Sequence, residues 1–490
     1  MPGPSATRVA ALQHALSRPV IIDLWFVCSQ CDNCMHTMWR PRIDRKSGPL
    51  YQSLAAAIAQ DVQAGRLKGG DRLPPHRELA DTLGVTVTTV TRGYSEAERR
   101  GLVRGEVGRG TFVSPPAFTP IAPASESTID LATNALLPHV HAGELTESLA
   151  LLVSRSTPES LFNYQPHGGR LEHRAIAAAW LAEHQVPATA ATTILTSGAQ
   201  HGMAVALATL TSPGDVVLCE SVTYTGMRSL ANHLHVRAHP VAMDGEGLLP
   251  DALEDAAHES GARVLYCVPS GQNPTARVMS GKRRQEIVRV AARLDLMIVE
   301  DDAYGFLFEG TVPLCAALPE RTFYLTSLSK SVAPGLRIGL LRPPIGWTDR
   351  VTGAVFATTV MVTPLDAAAA CAWMGDGTVA RVMAWKREEV RARQQIARQV
   401  LGDVVTGSAK SQHAWVQLPA AWQADDFARE ARQRGVIVSP ARDFAVARHD
   451  VPNAVRLALG APPDRDRLKK AMTTLAAILN EPPQPFGMTV

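Results

Sequence analysis

The 490-residue chain has no apolar run of about 18 or more residues, which excludes a transmembrane helix and any membrane-spanning role built on one. The apolar stretch at 19–28 is short, is broken by Asp23 and lacks a small-residue cleavage site, so no secretory signal is expected. Cysteine is scarce. The seven thiols are odd in number and mostly scattered, which fits a reducing cytoplasm better than a disulfide framework. No segment repeats at a fixed period. What is present is ordinary globular chemistry, 46% hydrophobic and 19% charged, enough apolar matter to rule out wholesale disorder.

The charge is uneven. Residues 38–113 carry 13 Lys/Arg against 8 Asp/Glu, whereas 114–490 carry 34 against 36. A small basic block ahead of a large, slightly acidic remainder points to a nucleic-acid-binding head on an enzyme-like body. Four stretches are expected. Residues 1–37 show no periodicity and hold Cys28, Cys31 and Cys34. Those three lack the second ligand pair of a zinc site and the fourth cysteine of an iron–sulfur site, so no metal is expected. This stretch reads as a disordered extension or a misassigned start ahead of Met38. Residues 38–113 are rich in helix signals. Residues 114–128, SPPAFTPIAPASEST, read as a proline-rich linker. Residues 129–490 alternate short β-like and long helix-like runs, which predicts a parallel α/β body.

In the head, Tyr51, Leu54, Ile58 and Val62 recur at helical spacing. Two prolines precede a short helix over 77–83, and Gly84 supplies a turn. Val87, Val90, Tyr94 and Ala97 are expected to form the buried face of the next helix. Thr86, Thr88, Thr89, Thr91 and Arg92 then fall on its outer face. Two close helices around a glycine turn describe a helix-turn-helix, and Gly108-Arg109-Gly110 between strand-like residues predicts a β-wing. Residues 51–113 resemble the GntR-family winged helix over their whole length. The resemblance implies double-stranded DNA as partner, met by Arg77, Thr86, Thr88, Thr89, Arg92 and the wing-tip Arg109. One departure is Val87, where an early arginine is usual.

In the body, five β-like runs each lead into polar residues. The run at 193–196 leads to Gly198, Ala199 and Gln200. The run at 216–219 leads to Tyr224, and that at 264–268 to Asn273. The run at 296–299 leads to Asp301 and Tyr304, and that at 322–325 to Ser327, Ser329 and Lys330. Ligands of parallel sheets bind beyond the carboxyl ends of the strands, so these side chains are expected at one rim. A lysine there can form a Schiff base with an aldehyde cofactor. Asp301 can keep a pyridine nitrogen protonated, Tyr304 and Asn273 can hydrogen-bond a phenolate oxygen, and Tyr224 can stack on the ring. The helix opening at Gly198-Ala199-Gln200 offers free N–H groups to a phosphate, joined by Ser327, Ser329 and Arg337. The cofactor this set describes is pyridoxal phosphate.

The body resembles the fold-type I aminotransferases of class I/II through SLSKSVAPGLRIG, PSGQNPT and EDDAYGF. The resemblance implies a mostly parallel seven-stranded sheet with helices on both faces and a smaller C-terminal α/β subdomain. It gives Lys330 the catalytic role. It also implies that Arg456 in VRLALG, with Asn273, grips a substrate carboxylate. Tyr164 would cross a homodimer to the neighbour's phosphate. Winged helix, linker and such a body in this order resemble the MocR/PdxR-type regulators, which also often begin with a segment like Met38-Trp39-Arg40-Pro41. The resemblance implies a cytoplasmic, pyridoxal-phosphate-dependent transcriptional regulator. In it a small amino compound displaces Lys330 as imine partner of the cofactor. Two alternatives stay open: a catalytically active aminotransferase with an accessory DNA-binding head, and a sensor of the cofactor itself.

Overall fold

The structure, a computed structural model, describes residues 39–41, 43, 48–106, 110–113, 128–134, 142–447 and 450–481. The chain divides into two compact units, Met1–Ala122 and Pro123–Val490.

In the first unit, α1 (Leu50–Gln63), α2 (His76–Leu83) and α3 (Val87–Arg99) precede an antiparallel pair, β1 (Val103–Glu106) and β2 (Gly110–Val113). The apolar spacing of α1 delivers Leu54 and Ile58 to a core completed by Leu73, Leu79, Val90, Tyr94, Ala97, Val103 and Val113. The Tyr94 hydroxyl donates to the carbonyl of Pro74 at 2.8 Å, tying α3 to the segment before α2. Gly84 ends α2 at φ +61°, a left-handed conformation that a side chain would strain. One expectation fails here. Val87 is 43% exposed and not part of the buried face. It is the first residue of α3, and the covered face starts one turn later, at Val90 and at Gly93, which lies against Leu54. Residues 107–109, the expected wing tip with Arg109, lie outside the described residues, as do 1–37 with their cysteines.

The second unit is built on a seven-stranded sheet. Its strands are β3 (Ile194–Thr196), β4 (Val216–Glu220), β5 (Arg237–Val241), β6 (Val264–Cys267), β7 (Met297–Asp301), β8 (Thr322–Ser327) and β9 (Gly339–Arg342). The order is β3-β9-β8-β7-β6-β4-β5, and β9 alone runs antiparallel to its neighbours. The central strands are continuous apolar runs because helices cover both faces, as βαβ connections require. Apolar clusters on the sheet enclose Cys219, Cys267 and Cys315; these and Cys371 are buried free thiols.

The helices that matter for the site are α4 (Ala199–Leu210), α5 (Leu328–Ser331) and α6 (Thr378–Leu401). Beyond α6, β10 (Val405–Thr406), β11 (His413–Gln417), β12 (Ser439–Pro440) and β13 (Ala454–Ala458) form a four-stranded antiparallel sheet, the smaller subdomain. The two-residue strand Ile129–Asp130 pairs in parallel with Val436–Ile437, so the start of the body is stitched to this C-terminal part.

Candidate functional site

The parallel strands of the large sheet deliver their carboxyl ends to one rim, and a cavity of about 380 Å³ opens there. Ala199, Gln200, Tyr224, Asn273, Asp301, Tyr304, Ser327, Ser329, Lys330, Arg337 and Arg456 all line it. Gly198 borders it, with Arg337 directly behind its backbone. At φ +85° a Cβ there would stand 2.6 Å from Arg337 Nη2, so only glycine lets the guanidinium approach the start of α4. Tyr164 does not join the cavity of its own chain; it is 86% exposed.

Lys330 sits in the four-residue helix α5. Ser327 caps that helix, its hydroxyl accepting from Ser329 N at 3.0 Å. Lys330 Nζ donates to the carbonyl of Asn134 at 2.7 Å. Burial, then the charges of Arg456 and Arg337, pull its amine down to about 8, against a smaller opposing pull from Asp301. Asp301 is buried at the end of β7 and accepts from the Tyr266 hydroxyl at 2.8 Å and from Ala303 N at 3.1 Å. Burial raises its carboxyl above the usual range, and those two hydrogen bonds partly offset the rise. Burial also raises the phenols of Tyr304 and Tyr224.

Arg337 donates to Ser329 Oγ at 3.1 Å and to the carbonyl of Ser197 at 3.2 Å, placing a guanidinium beside the first turn of α4. The first N–H groups of a helix have no intrahelical partner, so positive potential from the guanidinium and the helix start is concentrated at this corner. Arg456, on β13, is 6% exposed. It donates to Asn273 Oδ1 at 3.0 Å and to the carbonyl of Ala132, and its Cζ lies 4.7 Å above the Phe444 ring. Its Nε is buried without a partner, as are Gln200 Oε1 and Asn134 Oδ1. Unsatisfied buried polar atoms of both signs around one cavity mark it as shaped for a polar occupant. Among the described residues no cluster of His, Cys, Asp and Glu could hold a metal ion.

On the head, Arg77, Thr86, Thr88 and Arg92 are exposed and Thr89 is half-buried. Thr86 caps α3: its Oγ1 accepts from Thr89 N at 3.2 Å and lies 2.9 Å from Thr89 Oγ1. Thr88 and Arg92, four residues apart, share one face, and the Arg92 guanidinium lies 4.8 Å over the Tyr51 ring. No described helix is long and apolar enough to cross a membrane.

Residues 126–475 match the family described as aminotransferase class I and II. The chain belongs to the aminotransferase class I and II family. Residues 50–113 match the bacterial regulatory proteins of the gntR family, so a GntR helix-turn-helix domain is fused to the aminotransferase-family body. The uncharacterized HTH-type transcriptional regulator YdeF of Bacillus subtilis is 29% identical over 448 residues, covering 90% of this chain and 97% of its own. The HTH-type transcriptional regulator TauR of Rhodobacter capsulatus is 26% identical over 461 residues, covering 84% and 93%. The kynurenine aminotransferase of Pyrococcus horikoshii, solved in complex with PMP, superposes with a TM-score of 0.67 at 24% identity, over 72% of this chain and 91% of its own.

The aminotransferase-family body also uses residues that sequence reasoning missed. Asn134 contributes its carbonyl to Lys330 and its Nδ2 to the Tyr304 hydroxyl at 2.6 Å. It stands in the LATN run, which has no periodicity and no turn signature to single it out. Tyr266 holds Asp301. It lies opposite Val299 across the β6–β7 register, and Val299 and Asp301 share a face, so a strand alignment would have exposed the contact. Lys386, 1% exposed on α6, donates to the carbonyls of Lys330 at 3.1 Å and Val332 at 2.7 Å. Burial pulls its amine down to about 7. In sequence it is one cation among several charged neighbours on this helix.

Proposed function

We propose that the protein is a pyridoxal-phosphate-dependent transcriptional regulator of the MocR/PdxR type, working in the cytoplasm. Its head binds double-stranded operator DNA, and its body senses a small amino compound. The observation that carries this reading is a lysine amine, lowered to about 8, in one cavity with a buried carboxylate and a helix start beside an arginine, on a chain that also bears a GntR head. The donor set fits the cofactor. Arg337, Ser327, Ser329 and the first N–H groups of α4 would hold its phosphate, and Asp301 would hold the proton on its ring nitrogen. Tyr304 and Asn273 would hydrogen-bond its ring oxygen, and Tyr224 would pack on its face. When bound, pyridoxal phosphate supplies an aldehyde that condenses with primary amines and a ring that withdraws electrons. Lys330 carries the cofactor and moves protons at its own Nζ, and Arg456 with Asn273 orients a ligand carboxylate. Phe162, Tyr164 and Leu171 are 75%, 86% and 68% exposed, apolar side chains that a homodimer would cover, with Tyr164 reaching the neighbouring phosphate.

The test is an absorbance titration of the purified protein with amino compounds, followed by turnover with keto acids. A spectral shift without turnover is the expected result. Repeated turnover would make the body a working aminotransferase, and a colourless protein after incubation with excess cofactor would end both readings.

The DNA half of the proposal has its own check. Arg77 is exposed at the start of α2, away from the head's core. Arg77→Ala should weaken operator binding and reduce the slope of log affinity against log salt by about 1, the signature of one lost phosphate contact. Gel-shift curves unchanged across a salt series would remove Arg77 from the interface.

A further inference from the structure

A second cavity, of about 570 Å³, backs onto the same strand ends and is larger than the first. No residue lines both, yet they share a wall. Asp301, Tyr304 and Lys330 line the first cavity, and the residue after each, Asp302, Gly305 and Ser331, lines the second. Its other sides come from the helix Leu171–Glu183 and from the start of α6.

The lining is acidic and aromatic. Asp302 Oδ2 accepts from the Tyr324 hydroxyl at 2.8 Å, while Oδ1 is buried without a hydrogen-bond partner. A side chain at Gly305 would collide with this carboxylate, so the glycine leaves it room. The nearby cations are already engaged. Arg387 Nη1 donates to the Phe306 carbonyl at 3.1 Å, and its Nη2 pairs with Glu309 at 2.9 Å. Arg284 is shared, lying 3.8 Å from the buried Glu300 while also acting on Asp302. Burial raises both carboxyls, Glu300 to about 7, as befits acids short of counter-charge. His184 Nδ1 lies 2.8 Å from the Trp180 carbonyl, to which it can only donate, so the other nitrogen of the neutral ring is an acceptor. Trp180, Phe306 and Phe308, each less than a tenth exposed, supply aromatic wall. Aromatic rings beside a carboxylate favour organic cations. Among the described residues no His, Cys, Asp and Glu cluster is arranged for a metal ion.

We propose that this cavity is a second ligand site, separate from the first, which takes a small organic ammonium ion with Asp302 as its counter-ion. The rings suit the alkyl groups of such an ion and the carboxylate suits its charge. The site stands whether or not the first cavity holds pyridoxal phosphate.

Choline is the probe, because its quaternary nitrogen cannot condense with an aldehyde. Calorimetry on the full-length protein should show saturable binding of one choline per chain with a Kd below about 1 mM. Prior loading with pyridoxal phosphate should leave that Kd unchanged. The neutral isostere 3,3-dimethyl-1-butanol should bind at least about tenfold more weakly, since it lacks the charge. Asp302→Asn keeps an acceptor for Tyr324 and should weaken choline at least about tenfold. Ala380→Trp, at an exposed position on α6 that lines the cavity, should fill it and abolish binding, and it decides the matter if the asparagine variant does not fold. Absence of saturable binding overturns the proposal, as does equal affinity for the neutral isostere or full binding in Ala380→Trp. Displacement of choline by pyridoxal phosphate would place the ion in the first cavity and overturn it too, leaving the cofactor reading intact.

Discussion

Lys330→Ala is expected to give a protein that retains no cofactor through borohydride reduction and dialysis, whereas the wild-type chain keeps it covalently. Any proton transfer measured with added amines should fall by about 10²- to 10⁴-fold, the usual contribution of a positioned acid–base group. The phosphate corner does not depend on this side chain. Arg337, Ser329 and the start of α4 stay in place, so weak reversible binding of the cofactor should survive. The pH dependence has a definite sign. The Lys330 amine is lowered from the ordinary 10.5 to about 8. Its nucleophilic free-base form therefore grows about tenfold per unit well below pH 8, reaches half at about 8 and is nearly complete about one unit above. The rate at which cofactor-free protein captures pyridoxal phosphate should climb over that range and then level off. A capture rate still rising tenfold per unit at pH 9 would mean an ordinary exposed lysine, and borohydride-trapped label in the alanine variant would place the capture elsewhere.

Arg456→Ala is expected to discriminate between ligands. Arg456 is buried and hydrogen-bonded to Asn273 and Ala132. Truncating a buried cation that pairs with a ligand carboxylate costs about 2–5 kcal/mol. Half-saturation by amino acids in the absorbance titration should therefore rise about 30-fold or more, while amines without a carboxylate should bind within a few-fold of wild type. Arg456→Lys should recover little, because an ammonium cannot reproduce the planar two-point contact. Equal losses for both classes of ligand would show that Arg456 supports the subdomain and does not read the carboxylate.

Much of the body was legible in sequence for a local reason. Each central strand is buried on both faces and so appears as an unbroken apolar run, and each ends where the chain must turn polar at the rim. That is why Asp301, Ser327 and Lys330 could be assigned to one cavity before any pairing was known. What stayed hidden depends on register and on distant partners. Asn134 and Tyr304 are 170 residues apart, and Tyr266 reaches Asp301 only through the β6–β7 alignment. Lys386 was hidden because charge in a helix normally means solvent, and only packing reveals that this ammonium faces inward. In the head, helical spacing placed Val90, Tyr94 and Ala97 correctly and overshot at Val87, since periodicity does not say where the covering partner stops.

The enclosed thiols have a practical consequence. Cys219, Cys267, Cys315 and Cys371 lie inside the body, and burial keeps each of them protonated and unreactive. A maleimide added to the intact protein can reach them only when the sheet and its helices part. Their alkylation rate is therefore an intrinsic clock for breathing of the body, one that ligands tightening the fold should slow without any engineered label.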